Sequence, residues 1–383
     1  MKNSTSLFLH RMFKGMADSC IKVFIPILIY QSTQNILQSF LFLIISYFLT
    51  AILFILLKNV IQKKPLLFLI LHIIPIIIVS ILLTCKITTL IIIILAVLDA
   101  ITTVFYYASL NYMFVFLDKE TNTAKFEAGQ NAGKIIFVLV SSIILGNLNN
   151  SFIFVVVFSS ILYVISVVPL CFKYGELKNI TKNVVNKSVI EVAKQSKNFN
   201  LFHIFTGIFS FFNESFLPLY LFVNGISFSL IGVLVALNYL INIGAGYLAK
   251  YLSKKGRDKI NLIINCIIIC LAMAVLFVPN TTVLYIATVL LNFSYNMIFV
   301  AFFTMFINDQ KEKGIVADSI FVRDIFQNGA RVCCVGICMI PLSALGFIFG
   351  IGSSIGMLFT GLRCEKECKN ITCKNDNETA ILK

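Results

Sequence analysis

Apolar runs long enough to cross a lipid bilayer recur along almost the whole chain, and this recurrence limits the fold more than any other feature. An α-helix needs about 20 apolar residues to cross the hydrocarbon core. Of the 383 residues, 59% are hydrophobic and only 13% are charged, whereas a soluble domain has about 45–50% apolar and about 25% charged residues. The sequence therefore predicts an all-α, polytopic membrane protein.

About twelve membrane-spanning helices can be bracketed from these runs. The predicted spans are Lys14–Tyr30, Ile36–Leu57, Leu66–Thr84, Thr88–Leu117, Ala132–Gly146, Phe152–Phe172, Phe199–Val223, Leu230–Ala249, Ile260–Val278, Val283–Ile307, Ile325–Ile340 and Leu345–Leu362. A polar, lysine-rich link separates the sixth run from the seventh. We therefore predict an N-terminal six-helix bundle over 1–172, a basic linker over 173–198, a C-terminal six-helix bundle over 199–362 and a tail over 363–383.

Basic residues fall in every second link between the predicted spans. Links such as Gln31–Asn35 and Asn147–Ser151 contain no lysine or arginine, whereas the alternate links, the central linker and the tail are basic. Short loops rich in lysine and arginine stay in the cytoplasm. The alternation predicts a multi-pass protein of the cell membrane with both termini cytoplasmic. The net charge of +14 then reflects topology, and nucleic acid is not an expected partner.

The two halves of the chain resemble each other at a shift of about 192 residues. The matching pairs are Phe24–Ile27 with Phe216–Leu219, Lys58 with Lys250, Met113–Phe114 with Met305–Phe306, Lys119–Glu120 with Lys311–Glu312 and, after a five-residue adjustment, Gln130–Lys134 with Gln327–Arg331. Internal symmetry of this kind is typical of transporters.

The loop after the second helix of the second half carries a family resemblance. Gly246–Lys255 reads GYLAKYLSKK, which resembles the G-x-L-A-D-R-x-G-R-K loop of the major facilitator superfamily. The resemblance implies a twelve-helix fold, alternating access, and a gating role for Gly246, Lys250, Lys254 and Lys255. Lys250 stands where the family has the acid of its gating salt bridge, and the first-half copy over 54–64 keeps only the basic end.

Four ionisable residues lie within the predicted spans. They are Asp18 and Lys22 in the first, Asp99 in the fourth and Glu214 in the seventh. Each costs at least about 2.5–3.5 kcal/mol at the centre of a lipid-exposed helix, so it should face protein or a water-filled cavity. The family resemblance implies that these helices, with the tenth, line a central cavity. These residues are therefore candidates for a substrate or proton pathway.

Each candidate in the first half has a structural alternative. Asp18 and Lys22, one turn apart, form either a substrate or proton site or an internal ion pair near the cytoplasmic end. Asp99 shares a polar stripe with two threonines and Tyr106. It is either a lone buried carboxylate that binds and releases a proton, or a hydrogen-bonded acid at a helix seam.

Glu214 lies beside Asn213 and one turn before Pro218. Proline frees a backbone carbonyl one turn earlier. Glu214 is therefore either a proton carrier or cation anchor, or a protonated acid that donates a hydrogen bond to that carbonyl.

Further polar residues recur at helical spacing in the second half. Asn292 and Asn296 are four residues apart in the tenth span and either contact substrate or bond neighbouring helices. Lys134 and Arg331 occupy matching places in the repeat, and we interpret both as anchors at the membrane interface.

Enzymatic chemistry is not predicted, because no phosphate loop, nucleophile motif or hydrolase motif is present. Cys364, Cys368 and Cys373 in the tail have no histidine nearby and do not match a four-ligand zinc site, so neither a metal nor a cofactor is predicted. We expect a monomeric secondary transporter that is coupled to protons and moves a small organic solute or drug. Export is favoured because the cavity candidates are acidic and apolar. The alternatives are an importer of the same fold, or a non-transporting sensor, immunity protein or scaffold.

Overall fold

A computed structural model describes residues 3–117, 123–147, 152–172, 174–175, 187–276, 280–339 and 348–366. Every regular element in these ranges is helical. The first six spans are Asn3–Ile21 continued by Ile25–Thr33, then Ile36–Lys63, Pro65–Leu82, Thr89–Leu117, Thr123–Asn147 and Phe152–Cys171. The last six are Lys197–Val223, Phe228–Lys254, Asp258–Val275, Thr281–Glu312, Val316–Cys338 and 348–366. We number them spans 1 to 12. The all-α prediction is confirmed.

Nine of the described helices, spans 2 to 10, are long and apolar enough to cross a membrane. Spans 1 and 11 carry charged residues in their interior and were bracketed too short from the sequence. Span 1 begins at Asn3 rather than Lys14, and span 11 begins at Val316 rather than Ile325. These added turns are polar, but neighbouring helices cover their charges, as the burial of Asp318, Arg323 and Asp324 in span 11 illustrates.

Large apolar side chains project outward from the helices. Leu56, Phe154 and Leu271 are each more than 60% exposed on the protein surface. A soluble protein rarely carries a contiguous apolar surface of this extent. The outer faces therefore suit a lipid environment, while the polar residues lie inside the helical assembly.

The two proline-containing segments that match in the repeat both interrupt their helices. Span 1 tightens into a 3₁₀ turn over Lys22–Phe24 just before Pro26. Span 7 widens into a π-helical segment over Phe212–Phe216 just before Pro218. Proline lacks the N–H that would continue the α-helical hydrogen bonds, so the backbone adjusts in the preceding turn. π-Helical turns are frequent at functional sites.

The repeat also recurs in the packing. A Cβ atom added to Gly15 in span 1 would lie 3.0 Å from the carbonyl oxygen of Gln130 in span 5. The corresponding position in span 7 is Gly207, where an added Cβ would lie 2.6 Å from the carbonyl oxygen of Gln327 in span 11. Glycine thus allows close backbone contact at matching places in both halves.

Spans 5 and 8 form one seam between the halves, and spans 2 and 11 form another. In the first seam Gly232 meets Ser142, and Gly146 meets Ser229. Small residues let the two helix backbones approach closely. Polar residues of spans 1 and 4 meet in the first half, and those of spans 7 and 10 meet in the second.

Candidate functional site

Asp99 is not a lone carboxylate. The Lys22 ammonium lies 3.3 Å from its Oδ1 atom, and the Ser46 hydroxyl donates a 2.6 Å hydrogen bond to its Oδ2 atom. The side chains of Lys22 and Asp99 are 20% and 17% exposed. This ion pair therefore lies at a partly accessible surface and joins span 1 to span 4.

Asp18 does not pair with Lys22, which corrects the expected ion pair within span 1. Asp18 instead forms an ion pair with Lys14, one turn earlier, and accepts a 2.8 Å hydrogen bond from the Tyr163 hydroxyl of span 6. The α-helix ends at Ile21, and the 3₁₀ turn that follows directs Lys22 towards span 4. Because the backbone changes at this point, Asp18 and Lys22 have different partners, Lys14 and Asp99.

Tyr106 also departs from the predicted polar stripe. Its ring is fully buried and lies 3.7 Å from the Lys14 ammonium, in a cation–π contact. The His72 ring lies 5.2 Å away. Tyr106 therefore belongs to the interior of the first half, behind the Lys22–Asp99 pair.

Glu214 lies on the π-helical segment of span 7 with its side chain 60% exposed. Its Oε2 atom is 3.7 Å from the Arg331 guanidinium of span 11. The partner that the structure shows for Glu214 is therefore a cation of span 11 rather than the backbone carbonyl freed by Pro218. The wide π turn presents Glu214 and Asn213 together towards the space between the halves.

Arg331 is not an interface anchor. It lies in the middle of span 11, donates hydrogen bonds to the Ser210 hydroxyl at 2.8 and 3.0 Å, and stacks 5.3 Å from the Tyr47 ring of span 2. The Tyr47 hydroxyl is 2.8 Å from that of Ser215. These contacts connect the two halves at the level of Glu214. The sequence signal for Tyr47 is the polar pair Ser46-Tyr47 within an apolar run.

The asparagines of span 10 bond to neighbouring helices. Asn213 and Asn292 exchange two hydrogen bonds of 2.8 and 3.1 Å. Asn296 donates a 2.5 Å hydrogen bond to the Asn242 carbonyl of span 8. This geometry favours the interpretation that they join helices. Asn213, which is only partly buried, also borders the space beside Glu214.

The predicted gating loop of the second half makes its recorded contacts within that half. Gly246 is buried against span 10, and an added Cβ would lie 3.7 Å from the Asn296 amide nitrogen. Lys254 and Lys255 are exposed, and the Lys255 ammonium lies 4.5 Å from the Tyr251 ring. Lys250 is half-buried at the end of span 8.

The equivalent position in the first half, Lys58, instead joins the two halves. Its ammonium lies 2.8 Å from Asp318 at the start of span 11, with both side chains buried. Asp318 also accepts hydrogen bonds from the Gln62 amide at 2.9 Å and the Lys187 backbone N–H at 3.1 Å, and Lys58 donates to the Lys187 carbonyl. We call these four residues the clasp. Its polarity is the reverse of the family pattern, since span 2 supplies the base.

Metal ligation has no support in the described residues, which contain no group of three or more histidine, cysteine, aspartate or glutamate side chains able to hold a metal ion. Cys364 is buried at the end of span 12, whereas Cys368 and Cys373 lie outside the described residues.

Comparisons with known proteins agree with this architecture. A bacterial homologue of the iron transporter ferroportin in an outward-facing state has a TM-score of 0.74 and 12% identity, covering 97% of this chain and 100% of that one. Its inward-facing state has a TM-score of 0.65 at 12% identity, with coverages of 94% and 98%. The nucleoside transporter NupG has a TM-score of 0.66 at 12% identity, with coverages of 95% and 99%. No curated protein sequence matches. The Major Facilitator Superfamily model matches residues 7–318, and the chain belongs to that superfamily.

Proposed function

We propose that this protein is a proton-coupled secondary transporter that moves a small polar organic solute across the cell membrane by alternating access. One observation carries the proposal. Two partly exposed ion pairs within the membrane-spanning helices, Lys22–Asp99 of the first half and Arg331–Glu214 of the second, both contact span 2, through Ser46 and Tyr47. Charged side chains within membrane-spanning helices are costly and therefore rare. Where they occur, they commonly mark a substrate or ion pathway.

The clasp supplies the second part of the argument. It joins spans 2 and 11 and the linker on the side of the basic links, which the distribution of lysines assigns to the cytoplasm. A closed clasp would leave the central ion pairs to be reached from the opposite side. The higher TM-score to the outward-facing than to the inward-facing ferroportin homologue, 0.74 against 0.65, agrees with this state.

The charges at the interface change the argument for direction. The sequence favoured export because the candidate residues are acidic, but each acid is paired with a base, and the four side chains sum to zero charge. A site of zero net charge suits a neutral or zwitterionic solute. The charge of the site therefore does not distinguish export from uptake, and a transport assay must do so.

The proposal also includes three expectations from the sequence. They are the division into 1–172, 173–198, 199–362 and 363–383, the cytoplasmic location of both termini, and the monomeric state.

Transport in proteoliposomes tests the proposal. A thermal-shift panel of metabolites and drugs, including nucleosides and iron(II), first identifies a ligand that stabilises the purified protein. Flux of that ligand is then measured with and without a pH gradient. We expect Asp99→Asn and Glu214→Gln to abolish the stimulation by the gradient. Glu191→Gln is the matched control, because Glu191 is an exposed acid on the linker helix Val189–Gln195. Undiminished pH-driven flux in both central variants would reject these carriers.

A non-transporting sensor, immunity protein or scaffold of the same fold is the second candidate, favoured by the departure of the gating loop from the family pattern. Cysteines placed at Asn213 and Asn292 distinguish the two. In a transporter they change their accessibility between the two sides of the membrane when ligand is added, and in a scaffold their accessibility stays fixed.

A further inference from the structure

A second polar network lies inside the first half, behind the central ion pairs. Every fourth residue of span 1 and its 3₁₀ turn is polar, and these residues are Ser6, His10, Lys14, Asp18 and Lys22. Side chains four residues apart lie on one face of a helix. The first three are fully buried, and Asp18 is 7% exposed. We call this face the polar ladder.

The residues of the polar ladder form two ion pairs in succession along span 1. Lys14 is paired with Asp18 and lies over the Tyr106 ring, which also contacts the His10 ring. Lys22, one turn beyond Asp18, is 3.3 Å from Asp99. The ladder thus extends from the start of span 1, on the side of the basic links, to the Lys22–Asp99 pair.

Two histidines at the start of this series have fixed tautomers. The Nδ1 atom of His10 is 2.7 Å from the Ser166 carbonyl oxygen, and that of His72 is 2.6 Å from the Leu69 carbonyl oxygen. A carbonyl only accepts hydrogen bonds, so each Nδ1 must carry the proton, and each Nε2 presents a lone pair. The two rings lie 5.6 Å apart, nearly perpendicular.

Neither Nε2 atom has a hydrogen-bond partner within the described part of the chain, and the same holds for the hydroxyls of Ser6 and Ser109. Both histidines are fully buried. A buried acceptor without a donor costs about 1–3 kcal/mol, so two adjacent ones call for a proton or a hydrogen-bonding water. Histidine is the side chain whose unperturbed pKa lies nearest to neutral pH.

We propose that the polar ladder and His72 form a proton-binding site, and that it connects the side of the basic links with Asp99 along a route separate from the solute path. A proton adds to the Nε2 lone pair of His10 or His72, giving an imidazolium. It leaves towards Asp99 while the nitrogen keeps its electron pair, so no co-reactant is needed. The inference rests on the proposed proton coupling and adds the route by which the proton reaches Asp99.

Charged and titratable groups face the ladder from every helix packed against it. They are His72 from span 3, Asp99, Tyr106 and Tyr107 from span 4, Lys134 from span 5 and Tyr163 from span 6. Lys14 and Lys22 are engaged with Asp18 and Asp99, and the Lys134 ammonium lies over the Tyr239 ring. The two imidazoles can therefore change charge without breaking an ion pair.

The second half has no histidine and no charged pair at the positions that match His10, Lys14 and Asp18. A shift of 192 residues places Phe202, Thr206 and Ser210 opposite His10, Lys14 and Asp18. His203 is buried, but it lies against the rings of Phe202 and Phe306. The proposed route therefore belongs to the first half alone, and His203 is an internal control.

Histidine-selective ¹⁵N solid-state NMR of the full chain in liposomes tests the proposal, since the sequence contains only three histidines. Substitution of each histidine by glutamine assigns the signals, and spectra are then recorded between about pH 5 and 9, a range that brackets histidine titration. We expect the Nε2 signals of His10 and His72 to titrate together in the wild type. The midpoint of the histidine titration should move by about one pH unit in Asp99→Asn. It should move by a similar amount in the double variant Lys14→Met/Asp18→Asn, which removes both charges of the buried ion pair.

His203 should give the same titration behaviour in the wild type and in both variants. The inference is overturned if His10 and His72 keep an unprotonated Nε2 throughout this range, or if both variants leave their titration unchanged. The measurement needs no transported solute. If the histidines titrate but the protein shows no pH-driven flux, the proton-binding site is supported and the proposed transport is rejected. If pH-driven flux occurs but the histidines do not titrate, the transport is supported and the proton-binding site is rejected.

Discussion

Spans 1 and 7 occupy equivalent places in the two halves, yet they hold their polar residues in different ways. Span 1 buries Lys14 and Asp18 as a charged pair in the interior of its half. At the matching positions span 7 has Thr206 and Ser210, which bond to the neighbouring Gln327 and Arg331. In both spans the α-helix is interrupted before a proline, and a charged residue lies in the interrupted turn, Lys22 in span 1 and Glu214 in span 7. The common backbone is therefore retained, while the matching positions carry a charged pair in span 1 and neutral hydroxyls in span 7.

The contact between the first and fourth helices of each half shows the same contrast. Lys22 and Asp99 form an ion pair in the first half, whereas Asn213 and Asn292, at nearly equivalent positions, exchange neutral amide hydrogen bonds in the second. An ion pair changes its strength when a proton binds, and an amide pair does not. The comparison teaches that the contact between the first and fourth helices is charged in the first half and neutral in the second, and each of the following substitutions probes a difference between the halves.

The largest effect is expected from Lys14→Met, because it leaves Asp18 buried without its cation. Removing one partner of a buried ion pair costs about 3–5 kcal/mol. The matched change in span 7, Thr206→Ala, removes hydrogen bonds of a neutral hydroxyl and should cost about 1 kcal/mol. The free energy of unfolding in mixed micelles measures both. Equal losses would show that the charged pair in span 1 has no special place in the fold.

The second comparison is between the repeat mates Lys58 and Lys250. Lys58→Met leaves Asp318 without a cation inside the clasp and should cost about 3 kcal/mol. Lys250→Met, at a half-buried position, should cost less than about 1 kcal/mol. The same unfolding assay applies. A larger loss from Lys250→Met would place the stabilising link in the predicted gating loop instead of the clasp.

The glycine contacts should respond in proportion to their closeness. Gly207→Ala brings a methyl group to 2.6 Å from a backbone oxygen, and Gly15→Ala brings one to 3.0 Å. Overpacking of this kind costs about 1–3 kcal/mol, and we expect the larger loss of melting temperature for Gly207→Ala. The reverse order would mean that the contact of spans 1 and 5 and the contact of spans 7 and 11 do not share one geometry.

The smallest effect is expected for the amide pair of the second half. A double-mutant cycle with Asn213→Ala and Asn292→Ala should give a coupling energy of about 0.6 kcal/mol, the average for hydrogen bonds between membrane helices. The coupling should not change with pH. A cycle on Lys22 and Asp99 should give a larger coupling that falls when the carboxylate is protonated. A pH-dependent amide cycle would break the proposed asymmetry.

The class of the fold could be predicted because it depends on features that act along one helix at a time. The lengths of the apolar segments predict the number of spans. The alternation of lysine-rich and lysine-poor links agrees with that number. The repeat was visible because Pro26 and Pro218 interrupt their helices for the same backbone reason. The starts of spans 1 and 11 were missed, since hydropathy does not register a charge that a neighbouring helix will cover.

The partners within the site could not be predicted, because they depend on contacts between helices. Spacing offered an ion pair of Lys22 with Asp18 as one of two alternatives, but a 3₁₀ turn directs Lys22 to Asp99. Arg331 was assigned to the interface by analogy with Lys134, but span 11 places it beside Glu214. The reversed clasp was also missed, although Asp318 is a visible acid at the start of span 11, because its partner lies 260 residues earlier, at Lys58.

Thiol labelling at Asn213 tests the central claim, that the clasp decides which side of the membrane reaches the space between the halves. Asn213→Cys is placed in a background in which all eleven native cysteines are replaced, and an impermeant maleimide is added to either side of oriented vesicles. With the clasp intact, we predict labelling from the side opposite the basic links. With the neutral double variant Lys58→Met/Asp318→Leu, we predict increased labelling from the basic side. Identical labelling from the same side in both proteins would contradict the account.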